Sequence, residues 1–283
     1  MRKIPVRQIQ EPSLADHFNI KAIEALLNGG EMVQELHGHD FFYLLVLKKG
    51  IGKHEIDFTR YEVGDSMLFF MRPGQVHQLN LKPGSTGYLL QFKPDLFDVQ
   101  DHSAVQLLRQ ASRQNFCKTD ANQFDKLDKI LTYIFKEFTD RQEGYLEVIK
   151  AGMHVFFIEL LRHRQNKQRP IKGASLYTQE KLEQFVELLE RKFTTDKRVD
   201  QYAGLMNLST YQLAAITKNL LNKTPSELIN EYIILEAKRQ LLATSSQVSQ
   251  IAYYLGYEDI SYFIRFFKKH TGASPEAFRK NFK

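Results

Sequence analysis

Ile251-Ala252-Tyr253-Tyr254-Leu255-Gly256-Tyr257-Glu258-Asp259-Ile260-Ser261-Tyr262-Phe263-Ile264-Arg265-Phe266-Phe267-Lys268-Lys269, continuing through Gly272-Ala273-Ser274-Pro275 to Phe278-Arg279, is the stretch on which the reading of the chain turns. It is the second copy of an internal repeat. Ala203-Gly204-Leu205-Met206-Asn207-Leu208 aligns with Ala252–Tyr257, and Leu213-Ala214-Ala215-Ile216-Thr217-Lys218 aligns with Phe263–Lys268. Lys223-Thr224-Pro225-Ser226-Glu227-Leu228 aligns with Ala273–Phe278, and the second copy has one extra residue in its turn. Each copy reads as a short helix, a turn, a capped second helix, and a Ser/Thr-Pro that opens another helix. Ser209 with Gln212, and Thr224 with Glu227, have capping-box spacing.

Paired helices in this order are helix-turn-helix grammar, in which the second helix enters the major groove and its N-terminal residues meet base edges. A helix running from Thr224-Pro225 to about Leu242 separates the two copies. At roughly 18 residues it is about 27 Å long, which holds two recognition helices near successive groove segments about 34 Å apart. The alternative is a helical bundle with an accidental repeat.

Residues from about Leu182 to Arg279 resemble the DNA-binding domain of the AraC/XylS family of transcription regulators. The Ile251–Lys269 stretch is similar to the family's second helix-turn-helix signature, and Glu236-Ala237-Lys238-Arg239-Gln240-Leu241-Leu242 to the end of its linker helix. The resemblance implies motifs at about 200–221 and 248–271, double-stranded DNA and RNA polymerase as partners, and activation in response to a small-molecule effector. It places Tyr211, Ala214, Ala215, Lys218 and Asn219 of the first motif, and Ser261, Tyr262, Arg265, Lys268 and Lys269 of the second, against DNA. The chain departs from the family at Ala214 and Ala215, where polar side chains, often an arginine, usually follow the apolar anchor. Alanine offers a base edge only methyl contact. Arg265, flanked by Phe263, Phe266 and Phe267, is expected to face outward and pair with guanine, with Lys268 and Lys269 on phosphate.

Upstream the texture changes. Short β-prone runs at Phe42–Leu47, Lys53–Phe58, Met67–Met71, Val76–Leu81 and Gly87–Phe92 are punctuated by Lys49-Gly50, Gly64-Asp65, Pro73-Gly74 and Pro83-Gly84. They predict an all-β barrel or sandwich over about 31–95. Leu127, Ile130, Leu131, Ile134 and Phe138, then Leu146, Ile149, Met153, Phe156 and Leu160, predict two amphipathic helices within 121–164 that cover the barrel or pair two subunits into a homodimer. The polar run from Arg162 to Gly173 predicts a linker, placed at 166–175. After it, Thr178 is expected to cap a helix carrying Leu182, Phe185, Val186 and Leu189. The fold class is therefore α+β and multidomain: a cupin-like barrel with a helical extension over 1–165, and an all-α DNA-binding domain over 176–283.

Glu35-Leu36-His37-Gly38-His39 with Pro73-Gly74-Gln75-Val76-His77 resembles cupins, in which two histidines on one strand and a third on a facing strand bind a divalent metal. Here Phe41, Phe42, Tyr43 and Leu44 stand where those proteins carry a glutamate, so neither a metal nor any other cofactor is expected. A small effector is expected inside the barrel. His37, His39, Tyr43, His54, His77 and Gln91 are its polar candidates, although the sequence does not settle which strand face points inward. The competing readings are a cupin-type metalloenzyme with a helical appendage and a constitutive DNA-binding protein whose barrel only dimerises. The missing glutamate and the doubled motif count against an enzyme.

Bulk properties fit these readings. Among 283 residues the net charge is +6, which suits a nucleic-acid partner but is only mildly basic. Cys117 is the single cysteine, so no intrachain disulfide can form, and no apolar run is long enough for a membrane span. A cytoplasmic protein is the expectation.

Overall fold

Alternation of side-chain direction along strands organises the N-terminal half of the protein, seen in a computed structural model that describes residues 6–7, 17–97, 101–167 and 176–281. The chain runs β1 (Val6–Arg7), β2 (Phe18–Ala22), α1 (Ile23–Leu27), β3 (Met32–His39), β4 (Phe42–Lys49), β5 (Gly52–Ile56), β6 (Thr59–Val63), β7 (Met67–Met71), β8 (Val76–Leu81) and β9 (Thr86–Phe92). It continues with α2 (His102–Ala111), β10 (Phe116–Lys118), α3 (Ala121–Asp140) and α4 (Tyr145–Lys167). Two five-stranded sheets form, in the orders β1-β3-β8-β5-β6 and β10-β7-β4-β9-β2. The pairs are antiparallel except β1–β3. The β region is thus wider than 31–95: β2 before it and β10 after it complete the edges of the second sheet.

Each face of the second sheet has its own core. On β4, Tyr43, Leu45 and Leu47 point between the sheets with Phe69, Met71 and Leu89. Leu44 and Val46 point the other way, with Phe70, Leu90 and Phe92, against Leu127, Leu131, Ile134, Ile149, Met153 and Phe156 of α3 and α4. Side chains of this size contribute about 1.5–3 kcal/mol each on burial. The helices' apolar faces are therefore taken up by the sheet. Val155 and Ile158 are what α4 leaves exposed, and Tyr133 remains exposed on α3.

The helical reading of α4 reaches further than its polar sequence suggests. His163 and Arg164 are buried, and the Arg164 guanidinium donates to the carbonyls of Ala111 (2.7 Å) and Gln114 (3.2 Å). Helix α4 thus includes 166–167 of the expected linker, whose remaining residues, 168–175, lie outside the described ones. Contacts divide the chain into two units at Gln168 and Arg169.

The C-terminal unit is helical among its described residues: α5 (Leu176–Lys192), α6 (Val199–Leu205), α7 (Thr210–Leu221), α8 (Pro225–Ala243), α9 (Val248–Tyr254), α10 (Ile260–Thr271) and α11 (Pro275–Asn281). Thr178 lies inside α5 and does not cap it, because the helix already begins at Leu176. Leu182, Phe185 and Leu189 nonetheless lie along that helix, with Phe185 fully buried and Leu189 nearly so.

Candidate nucleic-acid interface and interior histidine cluster

The two halves of the repeat are structurally equivalent down to single hydrogen bonds. Leu208 N donates to Ala203 O at 2.9 Å, and Tyr257 N donates to Ala252 O at 2.9 Å. Asn207 (φ 54°) and Gly256 (φ 76°) hold the left-handed position of each turn. Ala203 and Ala252, Met206 and Leu255, and Leu213 and Phe263 are buried pairs at matching places. The recognition helices α7 and α10 are then capped by Ser209, which accepts from Gln212 N at 3.2 Å, and by Asp259, which accepts from Tyr262 N at 3.0 Å. Glu258 is the extra residue between the second turn and its cap. Thr224 and Glu227 close their capping box, with Thr224 N donating to Glu227 Oε2 at 2.7 Å. Helix α8 has 19 residues, about 28 Å.

Burial separates the faces of the recognition helices. On α10, Phe263 and Phe267 are fully buried, while Ser261, Tyr262, Arg265, Lys268 and Lys269 are exposed. On α7, Leu213 and Ile216 are buried; Tyr211, Lys218 and Asn219 are exposed, and Ala214 and Ala215 are half-buried. The arginines of this unit differ in what they do. Arg279 is buried and donates to the carbonyls of Leu241 (3.0 Å) and Ser246 (2.6 Å), and Arg239 is buried against Glu236. Arg265 has no such structural tie: its guanidinium is solvent-facing and makes no hydrogen bond or ion pair with the described residues. A shallow concavity joins it to Lys269, His270 and Tyr262, and to Ser226 and Asn230 at the start of α8. Sequence reasoning missed Ser226, Asn230 and His270. The i, i+4 step from Phe266 to His270 was a signal for the last, whereas the approach of α8 is tertiary.

One cation binds the motifs together. Lys197, between α5 and α6, donates to Thr194 O (2.9 Å) and Gly256 O (3.1 Å), and its ammonium lies 4.9 Å from the Tyr257 ring centroid. Burial pulls its pKa down, with Asp196 opposing. The loop before the first motif is thus fastened to the turn of the second.

In the N-terminal unit the structure gathers five of the six effector candidates. His37, His39, His54, His77 and Tyr43 are all at most 3% exposed. His39 Nε2 lies 2.7 Å and His37 Nε2 3.1 Å from His77 Nε2, while His77 Nδ1 lies 2.8 Å from His54 Nε2. The His39 ring stacks on Tyr43, with centroids 5.2 Å apart. Burial, aided by neighbouring His37, lowers the pKa of His54 to about 3, so it is neutral at pH 7. Gln91 stands opposite Tyr43 in the β4–β9 register but is half-buried and makes no hydrogen bond with the histidines. A network that sequence reasoning missed sets the turn before His77. Asp57 Oδ1 accepts from Val76 N (3.2 Å), Gln75 Oε1 accepts from Arg72 N (2.7 Å), and Asn115 Nδ2 donates to Gln75 Oε1 (2.9 Å). Asp57, Gln75 and Asn115 are far apart in sequence, and only their side-chain chemistry could have hinted at the link.

Comparison with known proteins agrees with both halves. A family model described as an AraC-like ligand binding domain matches residues 22–118, and one described as a helix-turn-helix domain matches residues 202–281. The chain belongs to the AraC/XylS family of transcription regulators. This regulator is 22% identical over 258 residues to the uncharacterized HTH-type transcriptional regulator YdeC of Bacillus subtilis, covering 87% of this chain and 86% of that one. It is 25% identical over 275 residues to the HTH-type transcriptional activator RhaS of Mannheimia succiniciproducens, covering 96% and 99%. It is 30% identical over 125 residues to the raffinose operon transcriptional regulatory protein RafR of Pediococcus pentosaceus, 44% of each chain. The AraC/XylS member described here is thus a transcription regulator with a ligand-binding domain followed by a helix-turn-helix DNA-binding domain. Among the described residues, no helix is long and apolar enough to cross a membrane.

Proposed function

We propose that this regulator is a cytoplasmic activator that reads one operator half-site per helix-turn-helix, responds to a small effector held near His37, His39, Tyr43, His54 and His77, and contacts RNA polymerase. The observation that carries the DNA reading is Arg265: an exposed arginine without structural duties, on the outer face of a capped helix in the second half of a structural repeat. Activation is supported by the near full-length similarity to the RhaS activator. Ala214, Ala215, Tyr211, Lys218 and Asn219 serve the first half-site, and Ser261, Tyr262, Lys268 and Lys269 flank Arg265 at the second.

The division of the chain into two units at Gln168 and Arg169 has a direct consequence. Residues 176–283 hold their own buried core and caps, so this fragment is expected to fold alone and bind DNA. Circular dichroism of the fragment, followed by titration of specific and random duplexes at several salt concentrations, tests this. A regulator shows a large specificity ratio together with a steep salt slope. Lys268→Ala should lower affinity for all sequences alike and reduce the slope by about one unit. An unfolded fragment, or equal affinity for both duplexes, would refute the assignment.

We also propose a homodimer through the outer side of α4, where Val155 and Ile158 lie one turn apart and stay half-exposed or nearly so after the sheet has taken the helix's other face. Sedimentation of the full chain at tens of micromolar is expected to show a dimer that Val155→Glu with Ile158→Glu converts to a monomer. A wild-type monomer at that concentration would rule it out.

A further inference from the structure

Helix α10 carries its two lysines on opposite flanks of Arg265. At about 100° per residue, Lys268 turns about 60° to one side and Lys269 about 40° to the other, the side that also holds Tyr262 and Phe266. The Lys269 flank is not a bare helix surface. Ser226 and Asn230 of α8 approach it, and the two helices line an open concavity of about 400 Å³. His270 also lines it, with its ring packed on Phe266 at a centroid distance of 4.7 Å. The side chains of Ser226, Asn230, Arg265 and Lys269 make no hydrogen bond or ion pair with the described residues, so their donors are unspent. No carboxylate is among the lining side chains. Glu227 and Glu231, the sequence neighbours of Ser226 and Asn230, are taken up by Thr224 and Lys223. Two permanent cations and two neutral donors facing one open space, with no acid to balance them, suit an anion. The feature belongs to the second motif: α7 has Asn219 and Leu220 where α10 has Lys269 and His270.

We propose that this concavity seats one backbone phosphate of the operator, with Lys269 of α10 and Ser226 and Asn230 of α8 as its donors. The inference rests on the reading of Arg265 as a base contact. Scale then identifies the anion. The major groove is about 12 Å wide and a helix with its side chains about 10–12 Å across, so a helix lying in the groove meets one sugar–phosphate wall with each flank. With Arg265 at the base edges, Lys268 faces the phosphates of one strand and the concavity those of the other. Lys269 Nζ, Ser226 Oγ and Asn230 Nδ2 each donate to the non-bridging phosphate oxygens. Helix α8 thereby becomes a third helix in contact with DNA. Because two donors come from α8 and one from α10, the phosphate fixes the register of α10 in the groove, and with it the reach of Arg265 to its guanine. Such a contact positions the protein without itself carrying sequence information.

The test uses the full chain and its selected operator, with single phosphates around the second half-site replaced one at a time by uncharged methylphosphonates. Asn230→Asp, which sets a negative charge beside the seat, should weaken binding to the unmodified operator roughly tenfold. At one phosphate of one strand, the methylphosphonate should weaken wild type by a similar factor yet leave Asn230→Asp no weaker than before. Lys269→Ala should couple to that same phosphate and reduce the salt slope by about one unit. Lys268→Ala should couple to a phosphate of the opposite strand. Should Asn230→Asp fail to fold, Lys269→Ala, at an exposed position, carries the same coupling. Millimolar inorganic phosphate, against chloride of equal ionic strength, should leave the wild-type Tm unchanged. A rise that Lys269→Ala abolishes would make this a site for free phosphate and overturn the proposal. Coupling of Asn230→Asp and Lys269→Ala to no phosphate, or equally to all, would overturn it while leaving the role of Arg265 intact. A wild type that binds operator and random duplex alike would instead remove the DNA reading on which it rests.

Discussion

Gly256→Ala is expected to destabilise the DNA-binding unit by roughly 3–5 kcal/mol and to abolish operator binding, while Gly272→Ala costs about 1 kcal/mol and leaves binding intact. The two glycines have almost the same φ, 76° and 80°. Left-handed strain for an L-residue is therefore common to both, and the difference isolates what a β-carbon would meet. At Gly272 nothing lies within 4 Å. At Gly256 the new carbon would sit 1.7 Å from the Thr194 carbonyl oxygen and 2.7 Å from Lys197 Nζ. The carbonyl is backbone and cannot rotate aside. Relief requires the α5–α6 loop to leave the turn, which breaks the Lys197–Gly256 hydrogen bond and the contact of Lys197 with the Tyr257 ring and frees the second motif from the loop before the first. Urea unfolding of the two full-length variants, with binding to the selected operator, checks the contrast. Equal costs at the two positions would show that the loop yields easily and fastens nothing.

Arg265→Ala should flatten base preference in one half-site and leave the other unchanged. A bidentate arginine–guanine pair is worth about 1–3 kcal/mol of discrimination, a loss in specificity of about fivefold to 150-fold. Arg265 reaches solvent without spending its donors on the protein, so its removal leaves no buried group unsatisfied and fold stability should hardly move. Binding to random DNA should fall much less than binding to the operator. The first motif supplies the reciprocal experiment. Ala215 is half-buried and follows the buried anchor Leu213, so Ala215→Arg adds a donor and should create a new preference under α7. Randomised-operator selection on wild type and both variants provides the readout. An unchanged selected motif for Arg265→Ala would assign recognition by α10 to DNA shape or to its neighbours Ser261 and Tyr262.

Local chemistry made the DNA-binding unit legible from sequence alone. Caps, turns and 3.6-residue periodicity act within a few residues, so Ser209-Gln212, Thr224-Glu227 and the doubled Ala–Leu/Tyr turn announced helices that the structure contains at those positions. The same locality revealed β7 and β8 to the residue, because turn signals bound both runs. It failed for Thr178, whose capping chemistry was right but whose helix begins two residues earlier. It also missed β2 and β10, strands that exist as partners of β9 and β7. Which face of each strand points inward was tertiary information. His37, His39, His54 and His77 are spread over 41 residues, and a shift of one residue in register would have sent each ring to the opposite face. Only the pairing of β3 with β8 and of β5 with β8 fixes that register and brings the four imidazoles together. Arg265 lies between these cases: its identity is in the sequence, but its freedom from any internal partner is decided by the packing of α10 on Phe263 and Phe267, which leaves the opposite face of the helix to the solvent.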